Sequence, residues 1–390
     1  MWFVLLVLYL SFIGLGMSDS LLGVAWPSMN GEYLVPVSFA GASSAIVAIG
    51  KVTACLTGDW LNRKFGEARM IAVSAAAMAL GLFGIFGVHQ FWALLLFSVP
   101  FGLGCGYVNV TACSYAAVHY ESCYNSWLQC MWGVGGTICP MLMGWSIAGP
   151  FGWSLGYLIV GILEVSIIVL VFMCRSKWKH SARIVKDDKA SQAESKYLPF
   201  YKVITLPGVA AMMCCFFFSN GIQDTSSLWA GSYLVMHKGL SAEMAAAFVS
   251  ALFIGITLSR LVSGFMTMHF TDTQMVRIGC LMILLGLLAL LFLPNPACAI
   301  GLIFIGIGFA PVLPCMLHMT AGIFGPEQEP AILNAELAVA SAGSMLMPPV
   351  FGLIANHLDI RLFPAYLAAA MALLYVYAEK TGHRKQNKNL

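Results

Sequence analysis

The chain is short of charge. Only 9% of its 390 residues are Asp, Glu, Lys or Arg, while 60% are hydrophobic and the mean hydropathy is +0.85. A soluble domain carries roughly 25% charged residues, so the two or three soluble domains that this length could hold would have no adequate surface. Other absences narrow the function. There is no Gly-rich loop with Lys to cradle a nucleotide phosphate, which argues against ATP-driven pumping. No clustered Ser/His pair or His/Glu ligand set appears, which argues against a membrane enzyme. The 12 cysteines lie singly, apart from adjacent Cys214 and Cys215, with no CxxC or Cys/His cluster. No metal site, disulfide framework or cofactor is therefore expected, and the thiols read as small apolar fillers. A net charge of only +3 gives no reason to expect a nucleic-acid partner.

What is present is a series of apolar runs, each near the roughly 20 residues that a helix needs to cross the hydrocarbon core. Twelve candidate helices follow, at about 2–27, 33–56, 69–88, 91–116, 126–148, 154–173, 205–236, 242–266, 275–293, 297–318, 331–355 and 362–378. The opening "MWFVLLVLYLSFIGLGM" reads as the first span rather than a removable signal. The one long polar interruption, 174–204, splits the chain six plus six. The expected fold is an all-α polytopic membrane protein: an N-terminal six-helix bundle at 1–173, a basic linker at 174–204, a C-terminal bundle at 205–378 and a basic tail at 379–390. With both termini cytoplasmic, sixteen Lys/Arg fall in inner segments and only Lys238 and Arg361 in outer loops, which fixes that orientation.

Two short stretches stand out within the apolar runs. "GMSDS" at 16–20 and "GIQDT" at 221–225 each read Gly-x-x-Asp-Ser/Thr, 205 residues apart. "FGLG" at 101–104 recurs as "IGIG" at 305–308, and Gly58 corresponds to Gly264. Gly135, Pro140 and Gly144 recur as Gly343, Pro348 and Gly352. Matches in order at nearly one offset indicate a duplicated six-helix unit, an architecture of transporters with a midplane site. Glycines let helix backbones approach closely, and prolines bend helices whose neighbours satisfy the freed carbonyl.

The loop "GDWLNRKFGEAR" at 58–69 resembles the cytoplasmic signature of the major facilitator superfamily, Gly-x-Leu-x-Asp-Arg-x-Gly-Arg: Gly58, Arg63 and Gly66 match, and Asn62 stands at the acidic position with Asp59 nearby. Within that superfamily the chain is most similar to the fucose permease branch of sugar–proton symporters. The resemblance is carried by Asp19 on helix 1, "WLQCMWGVGGTICPMLMG", "PVLPCMLHMTAGIFG" and "ASAGSMLMPPVFGLIA". It departs on helix 4, where "NVTACSYAAVHY" puts Asn109 at the branch's acidic position and Cys113 at its Asn. The resemblance implies a sugar-type substrate and a coupling proton.

Asp19 and Asp224 are the leading site candidates. A charge at the bilayer centre costs about 3 kcal/mol even on the lenient insertion scale, so such groups face a cavity or a partner. A carboxyl there can also take up and release a proton as its surroundings change. Asn109, Gln129, Asn220 and Gln223 are suited to hydrogen-bonding solute hydroxyls, with interhelical bonding the alternative. Trp132, Trp229 and Tyr233 could stack on a ring. Gly58, Asp59, Arg63, Gly66, Arg260 and Glu336 are assigned to the cytoplasmic gate. Lys51 and Arg260 lie within about two turns of the inner face, where they could snorkel. The expected function is secondary transport of a small solute, a sugar or related polar metabolite, by alternating access with H+ as the coupling ion. The expected form is a monomer in a bacterial plasma membrane. The alternative is a drug or amphipathic-metabolite exporter, suggested by the Pro/Gly pattern of helix 5.

Overall fold

The computed structural model describes residues 2–87, 90–120, 122–174, 178, 208–266, 269–324 and 329–388. Among them the chain forms twelve long α-helices. They are α1 (Trp2–Tyr33), α2 (Phe39–Phe65), α3 (Glu67–Gly87), α4 (Phe91–His119), α5 (Ser122–Ala148) and α6 (Ser154–Met173), then α7 (Val209–Met236), α8 (Ala242–Met266), α9 (Asp272–Phe292), α10 (Cys298–Phe324), α11 (Glu329–His357) and α12 (Phe363–Lys388). A single 3-10 turn, Ile360–Leu362, precedes α12. Most of the linker at 174–204 lies outside the described residues.

Ten helices contain a stretch long and apolar enough to cross a membrane. The other two, α5 and α7, are comparably long at 27 and 28 residues but carry polar runs such as "SNGIQDTSS". Several helices extend past the expected apolar limits. α2 continues through Arg63 and Lys64 to Phe65 and stops at Gly66, whose φ of 83° suits glycine. Hydropathy drops at those basic residues, but Arg and Lys are good helix formers and the ladder runs on.

The chain divides into two compact units, Met1–Ala193 with Leu240–Ser250, and Glu194–Gly239 with Ala251–Leu390. In the first, α1 packs along α5, α4 lies against α2 and α3, and α3 against α6. In the second, α7 packs along α11, α9 along α10, and α12 against α7 and α9. The duplication expected from the sequence reappears as contacts. A Cβ on Gly135 of α5 would run into the Ile13 carbonyl of α1, and one on Gly343 of α11 into the Phe217 carbonyl of α7. Gly102 sits on Val47 and Gly306 on Leu252; Gly104 sits on Ser74 and Gly308 on Gly279. Both partners of each contact shift by 204–208 residues from one unit to the other. Each glycine marks a point where two backbones touch, which no larger residue would allow.

Candidate functional site

Asp19 lies a little beyond the middle of α1, on a stretch held close to α5. A Cβ on Gly16 would strike the Trp132 carbonyl, so α1 and α5 meet backbone to backbone one turn below Asp19. That crossing brings the Trp132 side chain to the carboxylate: its indole Nε1 donates to Asp19 Oδ2 at 3.0 Å. Lys51, from α2, completes the group, with Nζ 2.6 Å from Asp19 Oδ1. The Lys51 side chain is 38% exposed and that of Asp19 18%, so the pair is reachable rather than sealed. Charge-assisted bonds to both carboxylate oxygens compensate its desolvation.

A second polar group continues along the same helices. Gln129, one turn before Trp132 on α5, points its Nε2 at Cys113 Sγ (3.9 Å), and the Cys113 thiol points at Asn109 Oδ1 (3.6 Å). The Asn109 side chain is exposed. Beside it, the hydroxyls of Thr57 and Tyr107 pair at 2.7 Å between α2 and α4. Asp19, Lys51, Asn109, Gln129 and Trp132 thus all belong to the first unit.

The repeat register shows how uneven the two units are. The 205-residue offset that carries Asp19 to Asp224 carries Lys51 to Ile256. Offsets of 204 and 208 carry Asn109 to Leu313, Gln129 to Leu337 and Trp132 to Ala340. Only the aspartate is shared. Asp224, Asn220 and Gln223 are half-buried on α7. Trp229 and Tyr233, expected to stack on a solute, are fully buried instead. The Trp229 indole donates to the Pro348 carbonyl at 2.9 Å and its ring meets Phe351, while Tyr233 packs on Phe363. These two build the core of the second unit.

The profile of the Major Facilitator Superfamily matches residues 8–328, most of the chain. The chain belongs to that superfamily. Among curated relatives, "Bypass of stop codon protein 6" of Saccharomyces cerevisiae is 22% identical over 93% of this chain and 79% of its own length. The "Glucose/mannose transporter GlcP" of Bacillus subtilis is 21% identical over 84% of this chain and 81% of its own. The "Cis,cis-muconate transport protein" of Acinetobacter baylyi is 22% identical over 63% and 61%, respectively. Among solved structures, that of the D-xylose-proton symporter superposes with a TM-score of 0.77 at 13% identity, covering 96% of this chain and 97% of that one. The protein is thus a multi-pass membrane transporter of this superfamily, not an enzyme.

In the signature segment, Gly58 lies within α2 against Val110 of α4, where a Cβ would lie 2.7 Å from Val110 Cγ1. Asn62, at the acidic position of the signature, is buried and accepts a hydrogen bond from Thr111 Oγ1 at 2.9 Å, tying α2 to α4. Arg63 is exposed, and the Asp59 side chain lies outside the described ones. Arg260 is half-buried on α8. Glu336 is not at the mouth of α11 but about two turns in, fully buried, its carboxylate oxygens accepting from Thr320 Oγ1 at 3.0 and 2.9 Å.

Two residues with chemistry escaped the sequence-level candidates. Lys51, read from the sequence as able to snorkel to the inner face and not as a site residue, reaches Asp19 instead, because α2 and α1 bring together residues 32 apart in sequence. Glu164 sits on α6 at 1% exposure, its Oε1 without a hydrogen-bond partner among the described residues. It fills the notch left by Gly14 of α1, where a Cβ would run into the carboxylate. A Glu in "GILEVSIIVL" was a visible signal, a lone carboxylate in an apolar run, of the same kind as Asp19.

Proposed function

We propose that this transporter is a proton-coupled carrier of a small polar solute, a sugar or related metabolite, and that Asp19 holds the coupling proton. The observation carrying the proposal is the Asp19–Lys51–Trp132 group in the first unit: a carboxylate within a membrane span, ion-paired yet partly open, with hydrogen-bonding side chains at Asn109 and Gln129 on neighbouring turns. The resemblance to the fucose permease branch, the similarity to a glucose/mannose transporter and the shared fold of the D-xylose-proton symporter support the solute class. Alternating access needs an element whose equilibrium the bound species bias, and a ligand biases it only by its differential affinity for the two states. Neutralising Asp19 supplies such a difference, because it dissolves an ion pair that links α1 to α2. Asp224 on the repeated position is the second candidate proton carrier. Sixteen inner against two outer basic residues support cytoplasmic termini, and the setting proposed is a plasma membrane, with the chain acting as a monomer.

The test is uptake of radiolabelled monosaccharides and sugar acids by proteoliposomes holding the purified chain, with the interior more alkaline than the exterior. Accumulation above equilibration, abolished by a protonophore, is the expected result. Equilibration that ignores the pH gradient for every solute transported would remove the proton from the proposal.

A further inference from the structure

Of all the charged groups within the described spans, Lys51 has the clearest geometry and the least explained purpose. A hydroxylated neutral solute needs donors and acceptors, not a cation. A lysine within a span is expensive unless paired, and here its partner is the very carboxylate proposed to take up a proton. Two described side chains bond Asp19. Lys51 comes from α2 and Trp132 from α5, whose sequence holds no charged residue. Cys105 of α4 lies within electrostatic range of Asp19, Lys51 and Glu164. The other acids on helices packed against α1 are Glu164 of α6 and Asp59 of α2, whose side chain lies outside the described ones; the further cations of α2, Arg63 and Lys64, are exposed about three turns beyond Lys51.

We infer that the transported solute carries a carboxylate, and that Lys51 binds it once Asp19 is protonated. The inference rests on the carrier reading above and follows from charge balance. In the empty site Lys51 and Asp19 sum to zero. A proton arriving on Asp19 Oδ1 neutralises the carboxylate and removes the anion from the 2.6 Å bond of Lys51, and breaking one side of such a pair is strongly unfavourable. A neutral sugar leaves that deficit standing. A solute carboxylate cancels it: the Lys51 N–H groups turn from Asp19 to the solute oxygens, and the site again sums to zero. One proton and one anion thus enter together, and the step is electroneutral.

The repeat limits the charge. Where Lys51 stands in the first unit, the register places buried Ile256 in the second, so the cation at this position is not repeated. Arg260 lies one further turn along α8. The recognised feature is therefore a single carboxylate on an otherwise polar body, with Asn109 and Gln129 positioned for its hydroxyls.

The experiment uses the purified full chain and two pairs of probes, each exchanging a carboxylate for a hydroxymethyl group: D-glucuronate against D-glucose, and lactate against propane-1,2-diol. Thermal stabilisation is measured at acidic and neutral pH, followed by proteoliposome exchange of each probe that binds. The expected result is stabilisation by at least one carboxylate over its neutral partner, stronger at acidic pH. Lys51→Gln should weaken that binding roughly 30-fold or more, the scale of truncating one side of a desolvated charge pair, while Lys51→Arg retains most of it. Because Lys51→Gln leaves Asp19 without its cation, Lys51→Gln/Asp19→Asn serves as the charge-balanced control; it should fold and still fail to bind the carboxylate. Stabilisation by D-glucose or the diol equal to that by their acids overturns the inference while leaving the carrier reading intact. So does unchanged carboxylate affinity in the charge-balanced double variant. A chain stabilised by none of the four probes at either pH also counts against it.

Discussion

At the scale of single residues, the first unit holds two carboxylates in opposite circumstances. Asp19 has a cation and an indole N–H; Glu164 has neither, and is accommodated by an absent side chain at Gly14. That contact makes a prediction about packing. Gly14→Ala places a methyl against the Glu164 carboxylate and should destabilise the purified protein by about 1–3 kcal/mol, the usual range for overpacking. In a Glu164→Ala background the carboxylate clash is gone and the nearest remaining neighbour is Ile167 Cδ1 at 3.3 Å, so most of the penalty should vanish. A double-mutant cycle on the thermal unfolding of the detergent-solubilised protein measures this coupling; additive effects would mean that the two side chains do not touch. Asp19 was legible because a charge among apolar neighbours needs no structure to be noticed. Its partner was not, because a lysine twelve residues into an apolar helix could equally snorkel inward, and only the packing of α2 against its neighbours decides which way it reaches.

At the scale of helices, hydropathy located the long helices of the described residues but misplaced several ends, since it fades where Arg63 and Lys64 begin whereas the helix hydrogen-bond ladder does not. Which face of a helix turns inward was harder to read. α7 is apolar and polar nearly all round, so nothing in "SSLWAGSYL" distinguished a tryptophan facing a solute from one facing α11. The structure turns Trp229 toward Pro348, whose carbonyl it caps, and Phe351 packs beside it. The bond ties α7 to α11 beside the Pro348–Pro349 pair. Trp229→Phe should therefore lower stability by about 1 kcal/mol, the net value of one hydrogen bond, with solute affinity unchanged. Loss of affinity at unchanged stability would restore Trp229 to the binding site.

At the scale of the whole molecule, the duplication was legible from glycine spacing alone, because the glycines stand where backbones touch and that requirement survives when the rest of a repeat diverges. The asymmetry was not legible until the contacts fixed the register. Aspartates at 19 and 224 look equivalent in the sequence, yet the contact register puts Lys51 and Trp132 beside one and Ile256 and Ala340 at the matching positions of the other. The proposal that Asp19 holds the coupling proton rests on the Lys51 and Trp132 contacts. The most direct test compares wild-type and Asp19→Asn proteins in the same proteoliposomes, using a solute identified by thermal stabilisation. The variant should still exchange labelled for unlabelled solute across the membrane, at a rate that no longer depends on pH, and should fail to accumulate solute when a pH gradient is imposed. Accumulation by Asp19→Asn to the wild-type level under that gradient would contradict the account.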